Sequence, residues 1–77
     1  MNRENLISAF VGKGYKPVAD CPHCTIMKKS IKDLTKCLII YPERVVVQEM
    51  IDLEPPKKVA ELSMEQVEKM LQGGQND

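Results

Sequence analysis

The apolar positions of this chain fall into short runs of two periodicities. Leu6, Ile7, Phe10 and Val11 recur at helical spacing, with Gly12 and Gly14 closing the run, and predict a short N-terminal helix. Tyr15 to Ala19 predicts a brief strand or extended segment, which Pro17 confines to an edge or irregular place. A second helix is expected from Asp20 or Cys21. Pro22 suits its first helical position, where the missing N–H would have no partner anyway. Cys24, Met27, Ile31 and Leu34 then form an apolar stripe, with Lys28, Lys29, Lys32 and Lys36 on the other side.

Cys37 to Tyr41 and Arg44 to Ile51 are apolar, β-rich runs, and Pro42-Glu43 between them fits the turn of a hairpin. Val45, Val46 and Val47 make this hairpin edge β-prone, so a homodimer through a strand edge is expected. Leu53 to Lys58, with Pro55-Pro56, reads as a loop, and Lys57 to Leu62 adds a few extended residues. Ser63 with Gln66 three residues on has the form of a capping box, followed by a stripe of Met64, Val67, Met70 and Leu71 and a stop at Gly73-Gly74. The expected architecture is a small α/β or α+β single domain over residues 1–74, in the order α-β-α-β-β-α, with 75–77 a disordered tail. No internal repeat or low-complexity stretch is present.

Composition narrows the function classes. A chain of 77 residues buries a limited core, and domains of this size often add a metal, a crosslink or a partner. Eleven basic and eleven acidic residues cancel, so no net field draws the chain to nucleic acid or a membrane. One Phe, two Tyr and no Trp offer no stacking surface for single strands, which disfavours a nucleic-acid partner. No apolar run has the length of a membrane span, and the polar start Met1 to Asn5 does not resemble a signal peptide. The chain reads as cytoplasmic. Three cysteines in a reducing compartment point away from structural disulfides and towards redox or metal chemistry.

The chemistry is concentrated in Cys21-Pro22-His23-Cys24. If Cys21 caps the second helix, its sulfur faces unpaired backbone N–H groups and the positive end of the dipole, which favour the thiolate. Cys21 is then the exposed nucleophile and Cys24, one turn on, the resolving thiol. Pro22 stiffens the turn, and His23 tunes the redox poise by adding a donor or positive charge.

These four residues followed by a helix resemble the active site of the thioredoxin-like superfamily, which includes glutaredoxins and bacterial thiol oxidases carrying the same four letters. Two adjacent strands and the Ser63-capped helix are similar to the ββα end of that fold. The resemblance implies a minimal thioredoxin-like fold and thiol–disulfide exchange with a protein dithiol, a protein disulfide or glutathione. Catalytic roles carry over to Cys21, Cys24, Pro22 and His23 only, and no cofactor is implied.

Two other readings stand beside it. CPxC also occurs as a zinc knuckle, with Cys37, after twelve intervening residues, as a third ligand. The chain would then be a non-enzymatic regulatory or interaction module, its fourth ligand drawn from Glu43, Glu49, water or a second chain. A c-type haem site is disfavoured because no His follows the second Cys. The third reading is an interaction domain whose cysteines are small core residues, which suits Cys37 at the start of an apolar strand. By the same reasoning the lysine cluster is a solvated helix face before it is a phosphate or acidic-partner site, and Met27, Met50, Met64 and Met70 fill the core.

Overall fold

The computed structural model describes residues 2–73. The elements run α1 (Arg3–Gly12), β1 (Lys16–Asp20), β2 (Thr25–Ile31), β3 (Leu34–Ile40), β4 (Arg44–Ile51), β5 (Lys57–Ser63) and α2 (Met64–Gly73). The five strands form a single antiparallel sheet in chain order, each hydrogen-bonded to its neighbours in sequence. The coarse class is therefore α+β. The expected order α-β-α-β-β-α is corrected to α-β-β-β-β-β-α, because the segment after Cys24 is a strand.

The physical reason lies in residues 25–34. Thr25, Ile26 and Ile31 are β-branched, and alternation holds: Thr25 and Met27 are buried, whereas Ile26 is half-buried and Lys28 exposed. Lys32-Asp33 reverses the chain with Lys32 at φ 54°, so that Ile31 pairs with Leu34. The spacing of Cys24, Met27, Ile31 and Leu34 fits a helix as well. Pairing with β1 on one side and β3 on the other satisfies the backbone of β2 twice over, and this decides the conformation. The lysines expected on one helix face are dispersed. Lys28 lies opposite Cys37, Lys29 opposite Lys36, and Lys32 occupies the turn.

Both helices lie on one face of the sheet. Leu6 and Phe10 of α1 and Val67 and Leu71 of α2 close over Met27, Leu38, Ile40 and Val45. Cross-strand pairs align this inner face, with Met27 beside Leu38, Ile40 beside Val45 and Val45 beside Leu62. The helix ends are satisfied locally. The Asn2 side chain accepts from the Asn5 amide at 2.8 Å. At α2 the capping box forms in full: the Gln66 amide donates to Ser63 Oγ at 3.1 Å, and the Ser63 amide donates to Gln66 Oε1 at 2.9 Å. Gly14 leaves α1 at φ +99°, a conformation that favours glycine.

The expected hairpin of residues 37–51 forms, closed where the Tyr41 amide donates to the Arg44 carbonyl at 2.8 Å. Val45–Val47 is nevertheless no edge: β4 lies between β3 and β5, and the free edges belong to β1 and β5. β1 and β5 take the places expected for the brief strand and the extended residues. The end of α2 at Gly73 agrees with the expected stop, and the expected tail 75–77 lies outside the described residues. Among the described residues no helix is long and apolar enough to cross a membrane.

Candidate functional site: a dithiol turn held by Arg3

The β1–β2 hairpin delivers Cys21-Pro22-His23-Cys24 to its tip. Asp20, the last residue of β1, pairs with Thr25, the first of β2. One step further out, the Cys21 amide donates to the Cys24 carbonyl at 2.8 Å and closes the turn. Residues paired in this way have Cα atoms about 5.5 Å apart, inside the range a disulfide requires. Pro22 and His23 are exposed at the tip, Cys21 is exposed and Cys24 is half-buried.

Two contacts fix the turn to the body of the domain. The guanidinium of Arg3, in the first turn of α1, donates to the carbonyls of Cys21 at 3.4 Å and Pro22 at 3.5 Å, and lies 3.9 Å from Asp20 Oδ1. Below it, Thr25 Oγ1 donates to Asp20 Oδ1 at 2.8 Å, and Thr25 itself is buried. The turn is thereby tied to α1 through Arg3 and to the sheet through Thr25. Arg3 also lines a cleft of about 250 Å³ between the start of α1 and the β3–β4 turn, with Leu6, Ile40, Tyr41 and Met64.

The electrostatics differ from those of a cysteine at a helix N-terminus. Cys21 directly follows the last residue of β1, and the expectation that it caps a helix is corrected: the element after the motif is the strand β2. Burial pushes the Cys24 thiol up from its ordinary value, and the neighbouring Cys21 and Asp20 act in the same direction. Arg3 opposes them and favours the Cys24 thiolate. The turn keeps the two thiols on either side of Pro22-His23, and none of the three cysteines is disulfide-bonded.

Cys37 does not join the pair. It lies opposite Lys28 on the sheet, four residues beyond Cys24, or about 13 Å along the strand. Burial raises its thiol as well, with Lys28 opposing. Glu43 is engaged with Arg44 at 2.6 Å, and Glu49 lies opposite Lys36 on β3. Among the described residues no group of three or more His, Cys, Asp or Glu side chains converges. The set Cys21, Cys24 and Cys37 is thus not assembled within one chain.

Arg3, Asp20 and Thr25 were not singled out by the sequence. Asp20 and Thr25 flank the motif symmetrically, a signal readable only once the motif is placed on a hairpin. Arg3 lies eighteen residues upstream of Cys21 and carries no local signal. No protein-family model matches the chain, and neither the curated proteins nor the solved structures include a significant match.

Proposed function

We propose that this protein is a small redox-responsive domain that undergoes thiol–disulfide exchange through Cys21 and Cys24. The observation that carries this reading is the turn closed by the Cys21 amide on the Cys24 carbonyl, which holds an exposed thiol and a half-buried thiol at one hairpin tip. Exchange with a small disulfide such as oxidised glutathione proceeds in two displacements. The Cys21 thiolate attacks one sulfur, forms a mixed disulfide and releases one glutathione thiolate. Cys24 then attacks the Cys21 sulfur, the internal disulfide forms and the second glutathione leaves. Two glutathione thiols take up the two protons, and the protein loses two electrons. Pro22 restrains the turn, and His23 stands exposed at its tip.

The raised Cys24 thiol and the absence of a following helix favour a slowly equilibrating redox sensor over a fast oxidoreductase. The same turn would also present two thiolates to a zinc ion, with the remaining ligands supplied by a second chain. One experiment separates these readings. The reduced protein, purified without chelator, is equilibrated with defined ratios of reduced and oxidised glutathione, and its intact mass and thiols are mapped. The expected result is a loss of two hydrogens localised to Cys21 and Cys24, with Cys37 still alkylatable. Stoichiometric zinc that blocks this oxidation, or two thiols that stay reduced or stop at a mixed disulfide in excess oxidant, would overturn the proposal.

A further inference from the structure

The helices cover one face of the sheet and leave the other bare. On the bare face Ile26 lies beside Ile39 and Ile39 beside Val46, with Cys37 and Met50 along the same side. Val46 is only 9 % exposed yet stands outside the core cluster, because it faces away from the helices. Val18, Ile26, Cys37, Ile39 and Met50 line a shallow groove of about 440 Å³ across this surface. Lys28, opposite Cys37, also lines this groove, with Lys16 beside it on β1, and the Lys58–Glu61 pair stands on β5 at the other side. The contiguous apolar patch is Ile26, Ile39 and Val46, and an apolar patch bounded by charges is the anatomy of an interface.

We infer that this face is the contact surface of a homodimer, in which two copies stack sheet on sheet. Three observations favour a second copy over a peptide or an added strand. First, the free edges are guarded. β1 carries Lys16, Pro17 and an irregularity between Pro17 and Ala19, while β5 carries Lys57, Lys58 and a register shift and is preceded by Pro55-Pro56. Lysines, prolines and bulges at an edge oppose strand addition. Second, the size is right. Four strands of seven or eight residues and one of five give a face of about 24 by 23 Å at most, or roughly 550 Å² before side-chain relief. With side-chain relief and flanking loops inside a 34 × 33 Å footprint, that approaches the roughly 800 Å² per partner that stable interfaces bury. Third, stacked sheets pack well when their twists match, and an identical sheet has the same twist by construction.

The arrangement makes a specific demand on Cys37. It is the fourth of seven residues in β3, and β3 is the middle strand of five. A two-fold axis that centres one face on the other therefore brings Cys37 close to its counterpart across the about 10 Å between stacked sheets.

The test uses the full chain with Cys21→Ser and Cys24→Ser, so that it is independent of the dithiol reading. Sedimentation equilibrium is expected to return twice the 8.7 kDa of one chain, and a short bismaleimide to link the copies through Cys37. Ile39→Lys places a charge between Ile26 and Val46 on this face without touching the helix-covered core. It should abolish both the dimer mass and the crosslink, while Glu54→Lys, in the β4–β5 loop, should leave both intact. A monomer at every concentration up to millimolar, with Cys37 freely alkylated, would overturn the inference and leave the face to a different partner. A dimer that persists in Ile39→Lys without a Cys37 link would also overturn it, because the contact would then lie elsewhere.

Discussion

The guanidinium of Arg3 donates to the carbonyl of Cys21 at 3.4 Å, linking the first turn of α1 to the turn that holds both thiols. Its charge favours the Cys24 thiolate, while burial, Cys21 and Asp20 oppose that form. Arg3→Gln retains much of the side-chain length and removes the charge. The Cys24 thiol should then move further up, and its alkylation near neutral pH should slow by about twofold, the size expected of one partly exposed charge. The rate of iodoacetamide labelling against pH, resolved by peptide mapping, measures this. An unchanged profile would mean that Arg3 holds the turn without acting on the sulfur.

The titrating groups give stability a dependence at both ends of the pH scale. Cys24 and Cys37 are raised above an ordinary 9.0, and Tyr15 above 10.0, in each case chiefly by burial. The folded chain then holds these protons more tightly than the unfolded chain. Their contribution is complete below the unfolded values and is lost as pH rises through the folded ones. Glu61 behaves in the opposite sense. Its hydrogen bond and charge contact with Lys58 lower it from 4.5, so its contribution is present above that value and disappears as pH falls through the folded one. Urea midpoints should therefore decline above pH 9 and below pH 4.5. Cys37→Ala should flatten the alkaline limb, and Glu61→Gln the acid one.

Lys32 turns the β2–β3 hairpin at φ 54°, where a side chain carries a steric cost. Lys32→Gly should relieve that cost and raise stability by about 0.5–1 kcal/mol, the greater freedom of glycine in the unfolded chain offsetting part of the gain. Urea denaturation measures the change. A loss of stability would mean that the lysine side chain contributes more than its backbone costs.

Ser63 and Gln66 satisfy each other's amides at the start of α2, whose Val67 and Leu71 complete the core. Ser63→Ala should cost about 1 kcal/mol, and Ser63→Asp should recover most of it, because a carboxylate also caps a helix N-terminus. Thermal unfolding of the two variants side by side gives the comparison. Equal losses in both would assign the effect to the last residue of β5 rather than to the cap.

Both helices and four of the five strands are readable locally. Leu6 and Phe10 have one spacing in any context, Ser63 and Gln66 carry their cap with them, and Arg44 to Ile51 is too β-branched to prefer a helix. Residues 25–31 are different. Met27 is buried in a strand here and would also be buried in a helix, so its periodicity does not discriminate. What discriminates is Lys28 opposite Cys37 and Lys16 opposite Lys28, pairings between residues distant in sequence.

The candidate site divides in the same way. The sequence alone determined that two thiols stand two residues apart around Pro22 and His23, because covalent order keeps them within reach of each other in either a helix or a hairpin. It also determined that α1 and α2 each present an apolar stripe in need of cover. That the motif caps a hairpin, that Arg3 and Thr25 hold it, that Cys37 lies on the sheet face away from the helices and that this face is uncovered emerge with the assembled fold. Each depends on which strands become neighbours, and backbone hydrogen bonding and burial across the whole chain settle that together.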